Sequence, residues 1–188
     1  MQFAKDSFLL ALQQRLGSLN PARTVTINGA TVPAVIAVEN LPPAASEPQP
    51  NAFYVEWGSA AVVGGHACNG ALMSLGCVIS YYTQGTVQSM VDRGRVLGQL
   101  DNELLGICQP ANTEMYDYTQ SPSADLGTRV FWSQPVFAEA TTSGVEENTL
   151  SYQGRAVRRA MYEQGYQDGR AERRVQLTLY FFSEVTLS

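Results

Sequence analysis

The chain has 188 residues, 45% of them apolar, and a formal net charge of −5, a size that suits one domain with a substantial core. The acidic balance excludes general affinity for phosphate backbones, which needs clustered Lys and Arg. His66 is the one histidine and Lys5 the one lysine, against eleven arginines, so most routes to acid–base, nucleophilic or zinc chemistry lack their parts.

In chain order, Phe8, Leu9, Leu12, Leu16 and Leu19 recur at helical spacing and predict an amphipathic helix over Asp6–Leu19, ended by Gly17 and Pro21. Two short strands follow, Arg23–Asn28 and Thr31–Val38, with Asn28–Gly29 as the turn between them. Asn40 to Asn51 holds four prolines and reads as an irregular loop. Phe53–Trp57 is a further strand. Ala71–Tyr82 is the clearest, with Leu75, Cys77, Ile79 and Tyr81 alternating with smaller or polar residues.

A second helix, capped by Thr86 or Ser89, runs to about Ile107 on the stripe Met90, Val91, Leu97, Leu100, Leu104 and Ile107. Gly94 and Gly98 within it either mark a close backbone approach to a sheet or another subunit, or are simply tolerated. Asp92, Arg93, Arg95, Asp101 and Glu103 read as a solvated or inter-subunit charged face. From Ala111 to Gly144 the pattern blurs, with a short strand at Arg129–Trp132; Ser151–Gln164 suggests a helix, and Arg173–Phe182 is a firm terminal strand. The expected fold is α+β, a mainly antiparallel or mixed sheet with helices packed on one face. Residues 1–188 form one domain with a loop-rich or insert region at about 110–170.

Candidate sites are few. His66-Ala-Cys68 with Cys77 falls short of the four ligands a structural zinc site takes, so no metal is expected. There is no G-x-S-x-G turn, phosphate loop, G-x-G-x-x-G or calcium loop, and neither catalysis nor a cofactor is expected. Three cysteines that cannot all pair read as buried thiols in a reducing compartment. No apolar run is long enough to span a membrane, and no signal peptide is expected. Two groups suit protein contacts. Arg155, Arg158, Arg159, Arg170, Arg173 and Arg174 face only Glu163, Asp168 and Glu172, a local excess of +3. Tyr116, Tyr118, Phe131, Trp132 and Phe137 lie in the least regular region, as a satellite core or as interface anchors.

The layout resembles the tail-terminator (tail completion) proteins of long-tailed bacteriophages. The likeness rests on the helix Asp6–Leu19, the strand Pro33-Ala-Val-Ile-Ala-Val38 and the strand ending Cys77-Val-Ile-Ser-Tyr-Tyr82. It extends through the helix Val91-Asp-Arg-Gly-Arg-Val-Leu-Gly-Gln-Leu-Asp101 to the strand Val175-Gln-Leu-Thr-Leu-Tyr-Phe181. Tyr116-Asp-Tyr-Thr-Gln120 and Leu126-Gly-Thr-Arg-Val-Phe-Trp132 share the flavour of such phage proteins; the stretch from about Gly144 to Gly169 departs from the smaller terminators.

The resemblance implies a structural virion protein, not an enzyme: a ring, hexameric in the family, that caps the tail tube, stops its polymerisation and joins the tail to the neck. Implied partners are further copies of the chain, the tail tube protein and a neck or head-completion protein, with no cofactor and no membrane. DNA would pass through the ring without specific binding, and the protein would sit in the virion tail or neck after assembly in the host cytoplasm. Arg155, Arg158 and Arg159, with Arg170 and Arg173, would then face an acidic neighbouring ring, and Tyr116, Tyr118 and Trp132 would serve as contact residues. Rival readings are a head–tail adaptor or tube subunit of the same assembly and, more remotely, an enzyme or a small-molecule binding module.

Overall fold

The computed structural model describes residues 1–41, 49–64, 70–86, 91–138, 141–143 and 168–183. Two helices, α1 (Gln2–Leu19) and α2 (Val91–Ile107), accompany strands β1 (Thr24–Ile27), β2 (Ala30–Pro33), β3 (Val35–Ala37), β4 (Phe53–Gly64) and β5 (Leu72–Thr86). After α2 come β6 (Asn112–Asp117), β7 (Ala124–Trp132), β8 (Val136–Phe137), β9 (Thr141–Ser143) and β10 (Asp168–Phe182). The chain is therefore α+β, as its pattern predicts.

β1 and β2 form a separate hairpin in which Ile27 pairs with Ala30 across Asn28 and Gly29. Both turn residues have positive φ, +50° and +80°, the mirror-image turn that an Asn-Gly pair favours. The other eight strands make one curled mixed sheet among the described residues, in the order β3-β4-β5-β10-β7-β6, with β8 and β9 also on β10. Only β3 and β4 run parallel; the other pairs are antiparallel.

Alternation decides which side of the sheet is core. On β5, Leu75, Cys77, Ile79 and Tyr81 are buried, and opposite them on β10 so are Leu179, Leu177, Val175 and Arg173's neighbour Ala171. Both helices cover this face. α2 brings Leu97, Leu100, Leu104 and Ile107 against β5 and β10, and α1 brings Ala4, Phe8, Leu12 and Leu16. Phe8 sets its ring edge-on to Trp132 at 5.0 Å and to Trp57 at 6.0 Å, joining β7 and β4 to one helix.

The sheet curls enough for α1 to reach both of its ends. Gln13 Nε2 donates to the Val35 carbonyl on β3 at 2.8 Å; Ser7 Oγ accepts from the Tyr116 N–H at 3.0 Å, and Arg15 Nη2 donates to the Asn112 carbonyl at 2.8 Å, both on β6. A sheet edge left bare is a template for further strands. Here one helix occupies backbone groups of both terminal strands.

Several elements differ from the sequence pattern. The single strand expected at Thr31–Val38 is two, β2 and β3, in different sheets, with Ala34 between them; Pro33 ends the first and Val38–Asn40 turns as a short 3₁₀ helix. Part of the supposed loop-rich region is sheet. β6 reads Asn-Thr-Glu-Met-Tyr-Asp with only Met115 buried, a polar edge strand without the alternation that betrays a half-buried one. β7 is longer than Arg129–Trp132 because its first half is solvent-facing and broken by Gly127 at φ +65°. A Cβ at Gly94 or Gly98 would meet open space among the described residues, so these glycines make no close approach to any of them. The expected helix at Ser151–Gln164 lies outside the described residues.

Candidate functional site

Among the described residues, those that α1 and α2 leave uncovered form a broad outer sheet surface. On β10, Glu172, Arg174, Gln176, Thr178, Tyr180 and Phe182 alternate with the core positions and point to the opposite, outer face. Tyr180 pairs with Phe131 on β7 and with Ser74 on β5, while Gln176 pairs with Val136 on β8. Phe131 is 50% exposed, Val136 65%, Tyr180 38% and Phe182 43%. Their immediate chain neighbours Leu179 and Trp132, which point to the other side of the sheet, are buried. Large apolar side chains on an open face are the informative exception to a surface of scattered ones.

Charge frames this apolar strip at both ends. Arg129 on β7 makes an ion pair with Glu114 on β6 beside Phe182's end of the face. Arg174 Nε lies 3.3 Å from Glu172 Oε1 at the other end, and Glu56 on β4 is exposed on the same side. Glu114 strengthens the Arg129 guanidinium's hold on its proton by hydrogen bonding and by charge.

The contact residues expected from the sequence are scattered. Tyr116 and Tyr118 come together, rings 5.9 Å apart, at the end of β6 beside Ser7. Tyr118 is 38% exposed, and partial burial holds its phenol above the ordinary range. Trp132 is spent inside the chain: it is buried, donates its Nε1–H to the Cys108 carbonyl at 2.9 Å and carries the Arg15 guanidinium 5.2 Å from its ring centroid. Arg173 also turns inward, with Nε 3.0 Å from Asp101 Oδ1 and Nη1 donating to the Ala138 carbonyl at 2.9 Å. That Nε is buried and meets Asp101 as an ion pair without hydrogen-bond geometry. Arg170 pairs through its backbone with Gln84 and Ser143; Arg155, Arg158 and Arg159 lie outside the described residues. Of the outer-face residues, sequence reasoning had named Phe131 among the region's aromatics but had passed over Val136, Tyr180 and Phe182. The signal was present in the even positions of β10, which are as apolar at one end as its core positions.

The charged face expected on α2 is partly internal as well. Asp101 accepts the Tyr81 hydroxyl and meets Arg173. Glu103 is gripped by Arg23, whose Nη2 donates to Oε1 at 2.9 Å, and by Asn20 Nδ2 at 2.8 Å. These contacts fasten α2 to β5, β10 and the start of the small hairpin.

A shallow groove of about 570 Å³ runs between the C-terminal ends of the helices, lined by Gln14, Arg15, Ser18, Leu19, Gly106 and Ile107. Among the described residues, no three His, Cys, Asp or Glu gather as metal ligands, and no helix is long and apolar enough to cross a membrane. His66 and Cys68 lie outside the described residues.

Cys77 and Cys108 are buried free thiols. Burial pushes Cys108 from its usual 9.0 up to about 12, opposed by the charge of Arg15, and burial likewise raises Cys77 and Tyr81. A group whose folded pKa is raised contributes stability that is whole below its unfolded pKa and is lost as pH climbs toward the folded one. The chain should thus weaken between about pH 9 and pH 12, by up to about 1.4 kcal/mol per pH unit for each such group. Urea midpoints across that range check this, and a flat profile would refute it.

No protein-family model matches the chain, and no curated protein matches it.

Proposed function

We propose that this chain is a structural subunit of a long-tailed phage particle, a tail terminator that closes into a ring at the end of the tail tube, halts its growth and joins it to the neck. One observation carries the reading: the outer sheet face, with Phe131, Val136, Tyr180 and Phe182 exposed, while helices cover the inner face and α1 occupies both sheet ends. A chain built this way keeps its edges from polymerising and saves a broad apolar surface for a neighbour. Its acidic balance suits a conduit that DNA must leave without being gripped. On this reading it works in the virion tail or neck, without cofactor or catalysis.

The test is to add purified chain to tail tube protein as the tube polymerises. Growth should stop, and electron microscopy should show one ring at one end of each tube. Tubes of unchanged length with bare ends would sink the proposal. Density repeated along the tube would favour the rival reading as a tube subunit, and a ring bound only to the neck would favour a head–tail adaptor.

A further inference from the structure

We infer that the free edge of β4 from Gly58 to Gly64 is a strand-addition site. It takes an extended, apolar segment of a different protein of the assembly, uncharged but for one basic residue beside Glu56. The source of that segment rests on the reading of the chain as an assembly subunit; the edge itself does not.

The other sheet edges are guarded. On β6, the Asn112 carbonyl accepts from Arg15 and the Tyr116 N–H donates to Ser7. At the opposite end, β3 covers β4 only over Phe53–Val55. The chain then turns away through Val38–Asn40, and Glu39 accepts the Trp57 Nε1–H at 3.0 Å. Beyond Trp57, β4 has β5 on one side, and among the described residues no strand lies on the other. Alternate N–H and C=O groups of this stretch therefore face outward along a lane roughly 20 Å long.

Side chains say what fits the lane. Gly58-Ser-Ala-Ala-Val-Val-Gly64 holds no charge and no proline, the devices that ordinarily blunt an edge. Ser59 to Val63 are all exposed, Val62 at 65% and Val63 at 52%. The small residues from Gly58 to Ala61 leave room for larger side chains on an added strand, and Val62 and Val63 favour apolar ones. Glu56, exposed at the start of the lane, has no ion-pair partner among the described residues and suits one Arg or Lys.

The twist of the edge selects a flexible segment over a second folded edge. β4 shifts register against β5 twice, between Trp57 and Ala60 and between Val62 and Gly64. Such bulges bend a strand and sharpen its twist, which keeps two folded edges from lying flat along each other. An extended segment follows the twist as it docks, and its main-chain hydrogen bonds supply the affinity. The added strand runs antiparallel to β4, the more stable pairing, so its basic residue stands at its C-terminal end.

The probe is a short, fluorescently labelled peptide of alternating valine and threonine that ends in arginine. Anisotropy should show saturable binding to the full chain below about 1 mM, with slowed amide exchange along Gly58–Gly64. Methylating alternate amide nitrogens of the peptide gives two sets. The set that blocks the amides facing β4 should bind at least about tenfold more weakly, and the other should bind like the parent. Ala61→Lys, at an exposed position, should keep the circular dichroism of the unaltered chain and bind the peptide at least about tenfold more weakly. Glu56→Arg should weaken the arginine peptide and strengthen one ending in glutamate. The inference is overturned if no peptide binds, if both methylated sets bind alike, or if the outward amides of the lane are already protected in the isolated chain. Protection that grows with protein concentration would make a second copy the occupant and overturn it too. Peptide binding by a chain that leaves tube growth untouched retires the subunit reading and keeps the site. A chain that caps tubes but binds no peptide retires the site and keeps the reading.

Discussion

Replacing Phe8 with alanine is expected to cost about 3–5 kcal/mol of folding stability, a large share of the roughly 5–15 kcal/mol a domain holds. Phe8 is fully buried and sets its ring between Trp57 on β4 and Trp132 on β7, where Lys5 and Arg15 of the same helix also lie over the two indoles. Removing the ring leaves a cavity between two indoles that belong to separate strands, so neither can collapse into it without moving its sheet. Because α1 also holds Val35 on β3 and Tyr116 on β6, the loosened helix would uncover strand ends, and the variant should aggregate on mild heating. Guanidinium unfolding followed by tryptophan emission reads both effects, since the two indoles flank the missing ring. Phe8→Leu, which keeps most of the volume, should cost less than about 1.5 kcal/mol. A loss under about 1 kcal/mol for the alanine variant would show that α1 is held mainly by its other contacts.

Replacing Arg15 with methionine is the second large effect, about 2–4 kcal/mol. The guanidinium is a three-way tie. Nη1 donates to the Ile107 carbonyl at 3.0 Å and to the Pro110 carbonyl at 2.8 Å, and Nη2 donates to the Asn112 carbonyl at 2.8 Å. It thereby closes the end of α2, fixes the turn after it and starts β6, with one face toward the Trp132 ring. Methionine can replace the stem's packing but leaves three carbonyls, those of Ile107 and Asn112 part-buried, without their donor. Arg15→Lys should recover less than half of the loss, because an ammonium is a point donor and cannot serve three oxygens spread about a planar fork. Urea midpoints of the three proteins, at unchanged slope, distinguish the cases. Equal stability of the lysine and arginine forms would mean that charge at the helix end matters and the fork does not.

The strands that form the middle of the sheet were legible because they are half-buried. Leu75, Cys77, Ile79 and Tyr81 on β5 and Val175, Leu177, Leu179 and Phe181 on β10 alternate with their neighbours and turn out to face one core. The Asn28–Gly29 turn was legible because only that chemistry tolerates two successive positive φ angles without cost. β6 was not legible, since a polar edge strand hydrogen-bonds like any other while its side chains meet water. Trp132 and Arg173 illustrate the opposite failure. As residue types both suit an interface, yet the buried Cys108 carbonyl and the Asp101 carboxylate that claim them are distant in sequence.

The amino-acid order by itself determined the two helices, the central strands, the tight hairpin turn and the class of the fold, because each depends on periodicity or on the conformational limits of single residues. Only the tertiary structure decided that α1 spans both ends of a curled sheet, that Asp101 and Glu103 turn inward, and that Phe131, Val136, Tyr180 and Phe182 share one open face. Those facts depend on which strands become neighbours, and strand order is set by the packing of the whole core, not by any local stretch of chain.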